Sequence, residues 1–265
     1  MKTSKRLKAF DDCEDYMMCP LCGSAFKIAE GKSLVCERGH CFDFAAKGYV
    51  NFVPNVRRTP GLYSKKLFES RAAVFESGTY DKAFEGIRGM ISTNAHANGR
   101  LSLLDAGCGE GYYAKRFSDD HRFNVFALDI SKDAILAACK RKAPVKWMSA
   151  DLTKLPLLDN CMDVIVNILT SANYDEFGRV LAEDGILIKA VPGSDYLMEI
   201  REAIRPQLRN PEYSNKDVVE YFEKRVKIID RRTLCYKAPA DAALTARFME
   251  MTPMTFGVET GKADI

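Results

Sequence analysis

The sequence predicts a doubly wound α/β domain, a mostly parallel sheet with helices on both faces, preceded by a small metal-stapled module. Three observations predict it. An apolar strand discharges into three alternate glycines between Leu103 and Tyr113, carboxylates follow three successive apolar runs, and a Cys19/Cys22 pair precedes a Cys36/His40 pair. Alternating strand and helix signals imply a parallel sheet, and such sheets bind ligands outside their C-terminal strand ends. With 265 residues, 47% of them hydrophobic, the chain can bury one substantial core plus a small appendage. The boundaries read as a module over 1–60, a helical linker over 61–98 and the main domain over 99–265.

In the module, Cys19-Pro20-Leu21-Cys22 is a Cys-x-x-Cys knuckle, and Cys36 and His40 supply a second pair three residues apart. That is the ligand arithmetic of a closed tetrahedral zinc site. Gly23 and Gly39 fall where each knuckle must curl. Cys13 and Cys41 are alternative ligands on sequence position alone. Cys41 also reads as a small apolar residue packing on the aromatic strip Phe42, Phe44, Tyr49, Val50 and Phe52, with which the module is expected to dock onto the main domain. A disulfide framework is disfavoured because the nine cysteines are an odd number, and Cys108, Cys139, Cys161 and Cys235 lie in interior-looking runs. Four protein ligands leave no open position, so the zinc is a folding staple and not a catalyst.

Charge divides along the same boundary: residues 1 to 66 hold 12 Lys and Arg against 7 Asp and Glu, the rest 27 against 29. A basic module suggests a polyanionic substrate, although surface lysines also serve solubility. Arg57, Arg58, Lys65 and Lys66 flank the linker Thr59-Pro60-Gly61 and are the candidate phosphate contacts. Residues 64 to 98 read as helices interrupted at Gly78-Thr79-Tyr80, a break that either places Tyr80 over a ligand or is a plain interhelix turn.

Glycines at 107, 109 and 111 let the backbone turn tightly and approach a ligand. The third comes one residue too early for a dinucleotide fingerprint. Asp105 and Glu110 place negative charge where a pyrophosphate would be repelled and a cation attracted. S-adenosylmethionine, with its ammonium and sulfonium, fits that field. The run Asn124 to Leu128 ends in Asp129, 24 residues after Asp105, where a carboxylate accepts ribose hydroxyls. Ser131 is the better cap for the helix Ala134 to Cys139, which leaves Asp129 for the ligand. Val145 to Met148 leads to Asp151 and Leu152, candidates for the adenine.

The alternation continues with a buried strand over Met162 to Leu169, a helix over Tyr174 to Leu181, a strand over Gly185 to Val191 and a helix over Tyr196 to Leu208. Val226 to Tyr236 alternates as an edge strand does. No apolar stretch is long enough to span a membrane, and Met1 to Lys8 lacks the apolar continuation of a secretion signal, so the expected location is cytoplasmic.

The Cys19, Cys22, Cys36 and His40 spacing, Phe42-Asp43, Gly48-Tyr49-Val50-Asn51, Gly78-x-Tyr80, the Asp105 to Tyr113 loop, Leu128-Asp129-x-Ser131-Lys132, Pro192-Gly193 with Leu197-Met198-Glu199, and Met251-Thr252-Pro253 resemble the bacterial 23S rRNA (guanine-N1)-methyltransferases. The resemblance implies a Rossmann-like class I methyltransferase sheet and zinc on Cys19, Cys22, Cys36 and His40. It also implies cofactor contacts at Tyr80, Gly109, Glu110 and Tyr196, the last at a position where some relatives carry histidine. It further implies methylation of guanine N1 in a 23S rRNA hairpin, and a homodimer. Relatives usually continue past Met251-Thr252-Pro253 into one more strand, so the expectation is either a shortened chain or a sheet without that last strand. No residue is identified as the general base. The rival readings are a small-molecule methyltransferase and a noncatalytic RNA-binding or ribosome-assembly factor that keeps the fold.

Overall fold

The computed structural model describes residues 7–53, 63–95, 99–208, 212–255 and 258. Arg57, Arg58 and the Thr59-Pro60-Gly61 linker lie outside them. The chain forms two compact units, one of Met1–Arg58 with Ile91–Lys189 and the other of Thr59–Met90 with Ala190–Ile265.

The first unit contains two sheets. β1 (Phe26–Ala29), β2 (Ser33–Cys36) and β3 (Cys41–Asp43) form a small antiparallel sheet. Its core is aromatic: Phe42 packs against Phe26 and Phe52 with ring centroids 5.7 and 4.9 Å apart. The larger sheet has six strands in the order β4-β7-β6-β5-β8-β9: β4 (Tyr49–Asn51), β5 (Leu101–Ala106), β6 (Phe123–Asp129), β7 (Lys146–Ser149), β8 (Met162–Ile168) and β9 (Leu181–Ala190). β5 is buried along its whole length and pairs in parallel with β6 on one side and β8 on the other. The chain therefore steps outward from β5 through β6 to β7, then crosses back to β8. That reversal opens a crevice at the C-terminal end of β5.

β3 and β4 link the module to the main sheet more closely than docking through an aromatic strip. β4 pairs in parallel with β7, Tyr49 opposite Trp147 and Asn51 opposite Ser149, and the Phe52 amide donates to the Ser149 carbonyl at 2.8 Å. The module's last strand is thus the edge of the main sheet. At the opposite ends of the strands, buried Lys146 donates to Asn124 Oδ1 at 2.6 Å and pairs with Asp12 at 2.8 Å, while Asn124 Nδ2 donates to Asp12 at 2.7 Å. Every polar atom of this triangle that faces another is matched, as burial of an ammonium requires.

Between the strands lie α3 (Tyr112–Ser118), α4 (Lys132–Ala138) and α5 (Tyr174–Val180). Ser131 caps α4, its hydroxyl accepting from Ala134 N at 3.3 Å, as the sequence suggests. β9 starts at Leu181, directly after α5 and four positions before the expected Gly185.

The second unit is helical: α1 (Lys65–Glu76), most of α2 (Asp81–Asn94), α6 (Met198–Ala203), α7 (Lys216–Glu223) and α8 (Ala242–Met251). Gly78, at φ +84°, makes the break between α1 and α2. The helix expected over Tyr196 to Leu208 is shorter. Leu197 sits in the left-handed region at φ +51°, so α6 starts after it, and Pro206 reduces the end to a single 3-10 turn.

The edge strand expected over Val226 to Tyr236 is not formed: the segment is irregular and no strand follows β9 among the described residues. Its alternation has a different partner. A Cβ on Gly86 would lie 2.8 Å from Leu234 and one on Gly89 would lie 3.5 Å from Arg232, while Lys82 sits over the Tyr236 ring at 5.4 Å. Residues 232, 234 and 236 thus meet 89, 86 and 82 of α2, so the period of two reads an extended chain lying on a helix. Among the described residues, no helix is long and apolar enough to cross a membrane.

Candidate functional site

Each cysteine knuckle is a hydrogen-bonded turn. The amides of Cys22 and Gly23 donate to the Cys19 carbonyl at 3.3 and 2.8 Å, and the Gly39 amide donates to the Cys36 carbonyl at 2.8 Å. Nothing stands within 4 Å of a Cβ at Gly23 or Gly39, so their positive φ of +74° and +80° is what calls for glycine. The turns bring the donor atoms of Cys19, Cys22, Cys36 and His40 within 4.8 Å of one another. Cys22 and Cys36 sulfurs lie 3.6 Å apart, and His40 Nδ1 lies 3.3 Å from the Cys36 sulfur and 3.6 Å from that of Cys19. Tetrahedral zinc with bonds of about 2.0 to 2.3 Å sets its ligands roughly 3.3 to 3.8 Å apart, so the donor set fits the ion. Cys13 is buried away from this cluster, where burial pushes its thiol up to about 12. Cys41 is also outside the cluster. It is exposed on β3, whose inward residue is Phe42, so it does not pack on the aromatic strip.

At the crevice, Gly107, Gly109 and Gly111 all adopt positive φ, +84°, +56° and +80°. A Cβ on Gly107 would stand 2.6 Å from Thr170, and one on Gly111 would stand 2.6 Å from Trp147 and 2.9 Å from Ala138. The first and third glycines are therefore demanded by packing as well as by conformation. The amides of Gly107 and Cys108 both donate to the Leu128 carbonyl at 2.9 Å, which folds the loop over the end of β6.

Three carboxylates meet here. Asp105 is buried and accepts from the Ala114 amide in the first turn of α3 at 3.1 Å. Burial first, then repulsion from Glu110 and Asp129, pushes its carboxyl up to about 8. Glu110 is buried too; Arg141 donates to its backbone carbonyl at 2.7 Å and stands 3.5 Å from its carboxylate. Asp129 accepts from Gly109 N at 3.0 Å on one oxygen and from Ser131 N at 2.8 Å on the other. Such mutual repulsion is relieved by a cation, the chemistry of a sulfonium donor. Asp151 stands after β7 and accepts from Thr153 N at 2.8 Å, with Leu152 half-buried beside it.

In the second unit, the Tyr80 and Tyr196 hydroxyls are hydrogen-bonded at 2.5 Å, and the Tyr80 ring packs on Phe75 at 4.5 Å. The two tyrosines that the family resemblance assigns to one ligand thus lie together. Lys65 and Lys66 are exposed at the start of α1; Lys65 pairs with Glu69 at 3.5 Å and Lys66 with Glu250 of α8 at 2.8 Å.

Sequence reasoning missed one charged group in the first unit. Lys189, near the end of β9, donates to Asn167 Oδ1 and to the Thr170 carbonyl, each at 2.5 Å. A lone lysine closing an apolar run reads as solvated, because its partners stand 22 and 19 positions away.

The switch-point crevice, the glycine loop and its carboxylates define an S-adenosylmethionine-dependent class I methyltransferase carrying a zinc ribbon. Family models agree: a methyltransferase domain matches residues 104–188, and the RlmA N-terminal zinc ribbon matches residues 17–58. YxjB of Bacillus subtilis (strain 168), assigned as a 23S rRNA (guanine-N(1)-)-methyltransferase, is 35% identical over 253 residues, covering 93% of this chain and 89% of its own. The 23S rRNA (guanine(748)-N(1))-methyltransferase of Streptomyces fradiae is 27% identical, covering 91% of this chain and 86% of its own. A malonyl-[acyl-carrier protein] O-methyltransferase of Pectobacterium atrosepticum, with a different acceptor, matches only 48% of this chain at 30% identity. The chain belongs to the 23S rRNA (guanine-N(1)-)-methyltransferase family.

Proposed function

We propose that this protein transfers a methyl group from S-adenosylmethionine to N1 of a guanine in a hairpin of 23S ribosomal RNA, in the cytoplasm and as a homodimer. The observation that carries the reading is the match, along nearly their whole length, to relatives named for that reaction, zinc ribbon included. When bound, S-adenosylmethionine supplies an electrophilic methyl on a sulfonium.

Asp105, Gly107, Gly109 and Glu110 hold the cationic end of the donor, Asp129 accepts its ribose hydroxyls, and Asp151 and Leu152 face its adenine. The family resemblance adds Tyr80 and Tyr196 to these contacts. Cys19, Cys22, Cys36 and His40 hold zinc and keep the ribbon folded, while Arg57, Arg58, Lys65 and Lys66 contact RNA phosphates. The protein's residues would align guanine N1 with the methyl group and exclude bulk water, with the N1 proton passing to a carboxylate, a histidine or a single water.

The test is a radiolabelled methyl assay on undermethylated 23S rRNA with the product mapped by mass spectrometry. The expected product is N1-methylguanine in a hairpin loop; label on a small molecule, or none on RNA, refutes the reading.

The donor contact at Asp105 has its own signature. A carboxyl raised to about 8 is largely protonated at pH 7, and a cationic ligand favours its ionised form. Donor binding at pH 7 should therefore release a proton, making the calorimetric enthalpy depend on the buffer's ionisation enthalpy, and Asp105→Asn should abolish that dependence. The same shift means that the free fold holds a proton that the unfolded chain has lost. The Asp105 contribution to stability is then lost progressively as pH rises from about 4 to about 8.

A further inference from the structure

The turn that follows β8 is held in an unusual way. Leu169 adopts a left-handed φ of +54°, a conformation a branched side chain resists. Buried Asn167 donates to the carbonyls of Ala106, the last residue of β5, and Ser171, both at 2.8 Å. Lys189 closes the arrangement by donating to the Asn167 amide oxygen and the Thr170 carbonyl. Both partners are neutral oxygens, and burial pulls the Lys189 ammonium down to about 8. Thr170, so fixed, presses its methyl and hydroxyl against Gly107, where a Cβ would stand 2.6 and 2.8 Å from them. A chain of contacts thus runs from β9 through the β8 turn to the first glycine of the loop.

We propose that Lys189 is a positioning residue for methyl transfer, holding the turn after β8 against the glycine loop and so fixing the wall of the donor crevice. The costs of a partly buried ammonium and of a left-handed leucine are borne where Thr170 of the turn meets Gly107 of the loop. Lys189 acts through Thr170 and Asn167 and need not touch the donor. The inference deepens the proposed reaction and rests on it for its turnover readout.

Lys189→Met keeps an unbranched side chain, shorter only by the terminal nitrogen, and removes both bonds. The expected result is S-adenosylmethionine binding weakened about tenfold by calorimetry and kcat lowered by a similar factor, since small misplacements at a reacting centre cost rate steeply. The KM for RNA should stay close to that of the wild type, and the melting temperature should fall by only about a few degrees, the cost of two acceptors left without a donor. Lys189→Gln, which can satisfy one of the two oxygens, should fall between, and carries the same comparison if the methionine variant does not fold. Wild-type donor affinity in either variant overturns the proposal, as does a loss of RNA KM in the same proportion. If the wild-type protein methylates no guanine, the proposed function fails while the donor-affinity comparison still decides the role of Lys189.

Discussion

Replacing Asp129 by asparagine is expected to weaken S-adenosylmethionine binding by about a hundredfold or more, although the two side chains have nearly the same shape. Both carboxylate oxygens are already engaged by backbone donors, Gly109 N at 3.0 Å and Ser131 N at 2.8 Å. An asparagine offers one oxygen and one NH2 group, so one of those amides must face a donor. The change leaves a backbone N–H unsatisfied at about 1–3 kcal/mol and removes charge-assisted bonds worth about 1.5–3 kcal/mol each. Under the proposed function the ribose hydroxyls lose their anionic acceptor as well. If Gly109 loses its anchor, the middle of the cradle is freed, so Asp129→Asn impairs the loop and the ligand contact together. Calorimetric titration measures the affinity, and circular dichroism checks that the fold survives. Affinity within a few-fold of wild type would refute both roles assigned to this carboxylate.

The strand-tip acids were legible in the sequence for a physical reason. A buried parallel strand is a continuous apolar run, so the first acid after it marks the C-terminal tip, and Asp105, Asp129 and Asp151 follow that rule. Ser131 was legible as a cap because its hydroxyl can serve the α4 amides while the longer Asp129 reaches the loop. Two elements were not legible. Tyr49 to Asn51 is only three residues long and lies next to an aromatic strip that suggests side-chain docking. Nothing local says that its backbone will complete a sheet whose neighbouring strand, β7, is about a hundred residues away. Residues 226 to 236 failed the other way. Their alternation is real, but α2 supplies a smooth track at Gly86 and Gly89, and an extended chain can satisfy its period against a helix as well as against a strand. Lys189 belongs with these failures, since its chemistry exists only after Asn167 and Thr170 have been brought to it.

The β4–β7 pairing changes what the zinc site supports. A separate ribbon joined only by a linker could unfold without consequence for the sheet. Here Phe42 and Phe52 share one aromatic cluster, and the Phe52 amide also donates to the carbonyl of Ser149, the last residue of β7, so the ribbon core and the sheet edge are built from the same few residues. β6 and β5, which carry Asp129 and Asp105, are two and three places further in and pair directly with one another.

Cys36→Ser is therefore expected to separate the two activities of the chain. Cys36 ends β2 and lies within 3.6 Å of Cys22 and 3.3 Å of His40, so its loss opens the donor set from the middle. Structural zinc contributes about 10–16 kcal/mol of apparent binding free energy, which in a module this small is folding free energy. Metal analysis should find bound zinc reduced from one ion per chain to nearly none. Methylation of 23S rRNA should fall by about a hundredfold or more, while S-adenosylmethionine affinity changes by no more than about threefold. Chelation of the wild-type protein should reproduce this pattern, and added zinc should reverse it there and not in the variant. Donor binding lost in step with RNA methylation would mean that the ribbon holds the strand-tip crevice open, and that β4 is a structural member on which the whole sheet depends.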